Sequence, residues 1–313
     1  MNTQKRRVAR DATGAHRKAR FLVSLVAMQD FQKKVVVITG AASGIGRAMA
    51  DAFAKEGALL VIADIETNPL KTAEHEIRGS GVEVLAVRTD VANADSVAAL
   101  AQATLDRFGA VHVVCNNAGV GQSLRPIWEF STEYWQWLLG INLWGVIHGM
   151  RTFVPILLRQ QCEGHVVNTA SVAGLVSYPL PYLGVYSAAK HAVVSISETL
   201  AADLALTKSN IKVSVLCPGF VRTQIMNAER HRPANLAAEG HANAELEAMW
   251  RAGIDAGIDP TEIAAHVLSA IREERLYILP SPDLNETVRV HAEDLVLQRN
   301  PVRPTADAAS ASR

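Results

Sequence analysis

The sequence predicts a doubly wound α/β domain, one seven-stranded parallel sheet covered by helices on both faces. Three observations carry that expectation. Seven short β-branched runs recur along the chain, helix-period segments follow six of them, and the runs are apolar at consecutive positions. Strands buried on both faces read this way, and parallel neighbours need a long crossover, which a helix supplies.

The elements follow in order. VVVITG (35–40) leads into a helical segment over 44–56, LLVIADI (59–65) into 68–79, and VEVLAV (82–87) into 95–108. VHVVCNNAG (111–119) precedes the long segment 132–160, HVVNTAS (165–171) precedes 187–206, and VSVLCPG (213–219) precedes 260–273. LYILP (276–280) is the seventh strand. Right-handed crossovers then place the helices alternately on the two faces of the sheet. Neither an internal repeat nor a Gly/Ser linker interrupts the series, so a single domain over 29–299 is expected. Within it, 220–258 is Ala-rich and helical in pattern but broken at Gly240, Gly253 and Gly257, as in a lid that orders on binding.

The ends differ from this middle. Residues 1–28 form a basic N-terminal extension, expected to be disordered: seven Lys or Arg precede Phe21 against the single acid Asp11. FLVSLVAM (21–28) is far shorter than the roughly 20 apolar residues that span a bilayer, so no membrane anchor is expected. Met28 could itself open a domain of this type. The Pro/Ala/Ser-rich stretch 300–313 is expected to be a disordered tail.

Composition narrows the function classes. Of 313 residues, 49% are hydrophobic and 20% charged, enough apolar material for a large core. Lys plus Arg balances Asp plus Glu at 31 each, so no global field favours nucleic acid or acidic lipid as a partner. The three cysteines, Cys115, Cys162 and Cys217, lack C-x-x-C spacing, and the ten histidines include no H-x-x-x-H. A reducing, cytoplasmic setting and no metal are expected.

The chemistry begins at the first strand-to-helix turn. In Thr39-Gly40-Ala41-Ala42-Ser43-Gly44-Ile45-Gly46 the glycines let backbone approach a ligand, and the helix that follows offers free N–H groups to a pyrophosphate. The G-x-x-x-G-x-G spacing departs from the commoner G-x-G-x-x-G fingerprint. Asp64 ends the second strand, where an acid binds a ribose 2′-OH and repels a 2′-phosphate. With no basic residue at Ser43 or Ile65, the pattern favours NAD over NADP; a solvated charge at the strand end is the alternative for Asp64.

A second set of residues follows in order: Asn116-Asn117-Ala118-Gly119, Asn142, Ser171, Tyr186-Ser187-Ala188-Ala189-Lys190 and Pro218-Gly219. With the glycine turn, they make the chain resemble the short-chain dehydrogenase/reductase family over about 35–280. The resemblance implies a Rossmann-like fold and cofactor contacts from Gly40, Ser43, Gly44, Ile45, Gly46 and Asp64. It further implies Asp90 and Val91 beside the adenine, Asn117, Ala118 and Gly119 beneath the cofactor, and Pro218, Gly219, Val221 and Thr223 near the nicotinamide. Tyr186 and Lys190 would contact the cofactor too, and would form the catalytic set with Asn142 and Ser171. It implies a homodimer or homotetramer built through the fourth and fifth helices. The gap from Ser171 to Tyr186 is slightly longer than is usual in the family, so SYPLPYLG (177–184) is expected to bulge over the substrate.

Residue chemistry supports those roles independently. Oxidising an alcohol needs a base for the hydroxyl proton while hydride passes to the nicotinamide, whose chemistry is the cofactor's own. Tyr186 and Lys190 stand at i and i+4 on one helix face, so the ammonium can stabilise a phenolate. Lowering a phenol from its usual pKa of about 10 to about 7 takes roughly 4 kcal/mol, within reach of a desolvated cation together with the positive nicotinamide ring. Ser171 can hold the substrate oxygen, or simply cap the turn after its strand. Asn142, polar among Ile141, Leu143 and Trp144, either supports a proton relay or is a satisfied buried amide. Val120, Trp128, Val172, Tyr178, Tyr182 and Met226 lie in the loops that line ligand clefts of such sheets, together with Leu124, Leu180, Leu183 and Phe220. That lining predicts a bulky hydrophobic secondary alcohol or ketone as substrate. The segments GVIHGMRTFVP (145–155) and ERHRPANL (229–236) are similar to the subgroup of bacterial dehydrogenases acting on benzylic alcohols of aryl ethers. A catalytically idle NAD-binding sensor and an NADP-preferring ketoreductase are the alternatives.

Overall fold

The computed structural model describes residues 28–177, 180–207, 209–234, 236, 240 and 243–301. The termini 1–27 and 302–313, and with them most of the expected basic arm and tail, lie outside the described residues.

Seven parallel strands form one sheet in the order β3-β2-β1-β4-β5-β6-β7. They are β1 Val35–Thr39, β2 Leu59–Asp64, β3 Val84–Arg88, β4 Val113–Asn116, β5 Gly164–Thr169, β6 Ile211–Leu216 and β7 Tyr277–Ile278. Successive side chains of a strand face opposite sides of the sheet, and the apolar runs use both. Val36 and Ile38 of β1 pack with Leu60 and Ile62 against α1 (Gly44–Lys55), α2 (Thr67–Gly79) and α8 (Pro260–Arg272). Val35 and Val37, with Val61 and Ala63, face α3 (Ala94–Phe108), α5 (Gly145–Gln160) and α6 (Gly184–Thr207). The order reverses between β1 and β4, which opens a crevice at the carboxyl ends of the strands.

Four features depart from the sequence expectation. Met28 is buried in the core beside Phe31, so the packed domain begins at or before the residue assigned to the extension. The long helix 132–160 is α4 (Thr132–Leu139) joined to α5 through one π turn, Gly140–Trp144. That continuous helix is long and apolar enough to cross a membrane by length and composition, yet it packs on α3, β4, β5 and α6. Inside the expected lid, α7 (Ala244–Asp255) is a regular helix whose N-cap Asn243 accepts from the Leu246 N–H. A ninth helix, α9 (Pro282–Val296), follows β7 and starts with proline at its first position, where the missing N–H costs nothing.

Candidate active site

The glycine turn is shaped by space as much as by conformation. Gly40 and Gly44 have left-handed backbones, φ +65° and +55°. Gly46 has no room for a side chain: a Cβ there would stand 2.1 Å from the Gly40 carbonyl oxygen. Side chains of neighbouring strands lock the turn. The Thr39 hydroxyl accepts from the Asn117 and Ala118 N–H groups at 2.9 and 3.1 Å, and the Asn117 amide donates to the Thr39 carbonyl at 3.0 Å. One Asp64 oxygen accepts from the Ala42 N–H at 3.1 Å and the other from the Glu66 N–H at 3.0 Å. Ser43, the N-cap of α1, makes no side-chain cap, so the amides opening that helix face the crevice without an intramolecular side-chain acceptor. A helix terminus left this way, next to glycines a Cβ would close, fits a dinucleotide pyrophosphate.

Across β4 and β5 from this turn lie Ser171, Tyr186 and Lys190, which line the same cleft of about 320 Å³. Ser171 follows the end of β5; its hydroxyl accepts from the Ala173 N–H at 3.2 Å, so it does cap the turn. It also donates to the Pro218 carbonyl at 3.3 Å and lies close enough to the Tyr186 phenol to pull its pKa down. Tyr186 and Lys190 are on the first turns of α6. The Lys190 ammonium, 3% exposed, donates to the Thr169 carbonyl at 2.9 Å and sits 5.5 Å from the centroid of the Tyr186 ring. Burial lowers Lys190 to about 8. Burial likewise pushes Tyr186 up to about 12, against the opposing pull of Ser171. Burial disfavours the phenolate here; the acidification expected from the cation together with the nicotinamide ring is a property of the cofactor-bound site. Cys217, whose thiol burial pushes up to about 12, lies close enough to feel the Lys190 charge. Cys115 is fully buried in the core.

Asn142 lies behind the loop after β4, next to Gly119, where a Cβ would stand 3.2 Å from its side-chain oxygen and 3.6 Å from the Lys190 ammonium. It belongs to the π turn, is fully buried, and does not line the cleft. Its amide donates to the Val120 carbonyl and accepts from the Val120 N–H, both at 2.8 Å. Through these two bonds the side chain clamps the loop after β4.

The comparisons with known proteins agree with this geometry. A sequence model described as short chain dehydrogenase matches residues 34–234. The chain belongs to the short-chain dehydrogenase family. Among its relatives is a dehydrogenase/reductase of CLA biosynthesis from Lactiplantibacillus plantarum, 35% identical over 88% of this chain and 97% of the relative. A C alpha-dehydrogenase from a Sphingobium species is 32% identical over 86% of this chain and 87% of its own. Among solved structures, a short chain dehydrogenase/reductase from Burkholderia phymatum, crystallised with NAD, superposes with a TM-score of 0.84 at 45% identity. It covers 88% of this chain and 99% of that one.

The remaining cofactor-side residues of the dehydrogenase fall around one cleft. Gly40, Ser43, Gly44, Ile45, Asp64, Asp90, Val91, Asn117, Ala118 and Gly119 line it, as do Pro218, Gly219, Val221 and Thr223 from the other side. Gly46 instead lies beneath the turn. Of the substrate candidates, Val120, Val172 and Met226 line the cleft. Trp128 does not: it is 82% exposed, on a short 3₁₀ turn whose neighbouring Ile127 is the residue that packs on Gly184. Tyr182 packs in the apolar cluster beside the cleft and is absent from its wall, its backbone left-handed at φ +65°. Tyr178 lies outside the described residues.

Several wall residues escaped the sequence. Trp250 and Ile254 of α7 and Leu284 and Thr287 of α9 reach the cleft, Trp250 edge-on to Phe220 at 5.1 Å. The segment after β6 crosses the carboxyl edge as a strap. Thr223 packs on Gly44, Ile225 on Gly121, and Arg230 and His231 meet Glu66 at 3.4 and 3.6 Å beyond the end of β2. No sequence signal pairs Glu66 with residues 164 positions away. Gln122 also reaches the wall, three residues beyond Gly119.

Proposed function

We propose that this dehydrogenase interconverts a bulky hydrophobic secondary alcohol and its ketone, with NAD as cofactor and Tyr186 as the proton-transferring residue. The observation that carries the reading is the convergence of Ser171, Tyr186 and Lys190 on a cleft that begins at the glycine turn and ends in an apolar wall. When bound, the nicotinamide dinucleotide supplies the two-electron chemistry of the reaction. The glycine turn and the α1 N-terminus hold its diphosphate, Asp64 accepts from the adenosine ribose, and Lys190 binds the other ribose. The Asp64 carboxylate, fixed by two backbone amides, disfavours a 2′-phosphate at that position, and the NAD complex of the Burkholderia relative supports NAD.

In the reductive direction Tyr186 gives its phenolic proton to the substrate oxygen while Ser171 steadies that oxygen; in oxidation Tyr186 takes the hydroxyl proton back. A phenol held near 12 is fully protonated at neutral pH, which suits donation to a carbonyl. The wall of Val172, Leu180, Leu183, Met226 and Trp250 favours an apolar ring or chain over a sugar. The name of the Sphingobium relative accords with an aryl carbinol. A homodimer or homotetramer in the cytoplasm completes the reading; the half-exposed Trp144 on the π turn and Leu158 on α5 support an interface on that face.

The test is absorbance at 340 nm with NAD(H) or NADP(H) and a panel of aryl, cyclic and steroid alcohols and ketones. The reading expects NAD-linked turnover of at least one bulky apolar member. Better use of NADP would overturn the cofactor assignment, and NADH binding without turnover of any member would favour the sensor.

A further inference from the structure

Gln122 is a buried amide at the junction of three elements that the proposed chemistry needs. It is 6% exposed and follows Gly121, where a Cβ would stand 2.5 Å from the Ile225 carbonyl oxygen, so the strap confines its backbone. Its side-chain oxygen accepts from the Tyr186 N–H at 2.6 Å, and its side-chain nitrogen donates to the Tyr182 carbonyl at 2.5 Å.

Both partners are unusual groups. The first N–H groups of a helix have no intrahelical acceptor, and the one at the third position is ordinarily capped by a Ser, Thr, Asp or Asn just before the helix. In α6, which starts at Gly184, the residue before the helix is Leu183, which has no side-chain acceptor, and the third N–H belongs to Tyr186. Gln122 supplies the missing cap from 64 residues away. Tyr182 carries a left-handed backbone at φ +65°, a conformation that disfavours a residue with a bulky side chain and needs outside support. The Gln122 donor gives that support, and it fixes the loop whose Leu180 and Leu183 form the apolar wall.

We propose that Gln122 is a positioning residue of the reaction, which locks the backbone of Tyr186 and the substrate-side loop into one register. The inference rests on Tyr186 being the proton-transferring residue. Because Gln122 touches the chain at residues 182 and 186, its loss lets the phenol and the apolar wall drift together, and a shift of about 1 Å at a reacting group lowers turnover by about 100-fold.

The experiment compares Gln122→Met, Gln122→Glu and Tyr186→Phe in the full-length protein, with active sites counted by NADH fluorescence titration so that unfolded protein drops out of kcat. Gln122→Met, with neither donor nor acceptor, is expected to lose about 100-fold in kcat and to keep its NADH Kd within about twofold. The solvent deuterium isotope effect on kcat should rise, since proton transfer becomes limiting; a purely structural residue would leave it unmoved. Gln122→Glu keeps the acceptor for the Tyr186 N–H and should fall between Gln122→Met and the wild type. Should Gln122→Met fail to bind NADH, Gln122→Glu decides: turnover equal to wild type overturns the proposal, as does an unchanged kcat in Gln122→Met. Full activity in Tyr186→Phe would instead remove the reading on which it rests.

Discussion

The two halves of the cleft are built by different physics. On the cofactor side, the turn after β1 is fixed by backbone approaching backbone: Gly46 leaves no space above the Gly40 carbonyl, and Thr39, Asp64 and Asn117 tie amides of neighbouring strands together. On the substrate side, the wall is side chain on side chain, where Leu124, Ala173 and Leu183 gather Leu180, Met226, Leu246 and Trp250. Its segments come from distant connections, and Gln122 supplies the bond between the loop at Tyr182 and the start of α6. The first half tolerates almost no change of shape, and the second can be refilled with other apolar groups at modest expense. One fold can thereby keep a cofactor while its substrate varies.

If the halves differ in this way, the largest effects belong to the residues at their meeting point and in the turn. Tyr186→Phe is expected to reduce kcat by about 1,000-fold or more, with NADH affinity unchanged by fluorescence titration. Because burial holds the wild-type phenol high, alcohol oxidation should rise with pH through the neutral and alkaline range, whereas ketone reduction should not. That slope should vanish in whatever residual activity the variant retains. Gly46→Ala places a methyl 2.1 Å from a carbonyl oxygen and 2.7 Å from the Asn117 amide. The expected result is about 100-fold weaker NADH binding and about 2–3 kcal/mol lower stability in urea, since the backbone must move. Near-normal binding in that variant would mean the turn is as adaptable as the far wall.

This division also explains what was legible in the sequence. Glycines that cannot carry a Cβ and an acid at a strand end leave a direct imprint, so Gly40, Gly44, Gly46 and Asp64 could be named from spacing alone. The alternation of Val35 to Ile38 between two buried faces likewise made the sheet legible. Side-chain direction in loops is not written that way. Trp128 and Ile127 are neighbours of similar apolarity, and nothing in the residue pattern says that Ile127 is the one to pack on Gly184. The Gln122 contacts go to backbone atoms, so no residue pattern at 182 or 186 announces them. The π turn that tucks Asn142 against Val120 leaves the helical periodicity nearly intact and so passed unseen. Spacing put Lys190 beside Tyr186 but carried no measure of the burial that raises the phenol.

A smaller effect probes the cofactor half by charge. Asp64→Ala removes the acceptor of the Ala42 and Glu66 amides together with the repulsion of a 2′-phosphate. The ratio of kcat/KM with NADP to that with NAD should rise about tenfold, equivalent to about 1.4 kcal/mol of discrimination. Unchanged discrimination would shift the source of cofactor preference to the strap, the element that joins the two halves.

The strap permits the finest test of their separation. Arg230 and His231 reach Glu66 at 3.4 and 3.6 Å, a partly exposed contact that closes the cleft beyond the end of β2. Burial and the adjacent Arg230 lower the pKa of His231, so at neutral pH the imidazole is uncharged and the attraction falls to Arg230. Pairs of this exposure contribute roughly 0–1 kcal/mol, so Glu66→Gln should speed NADH release by no more than about fivefold in stopped-flow fluorescence. Salt near 1 M, where the Debye length is about 3 Å, should bring the wild type to the variant's rate. An off-rate insensitive to both changes would place the hold of the strap in its apolar seats at Gly44 and Gly121. The substrate half would then close over the cofactor by packing alone.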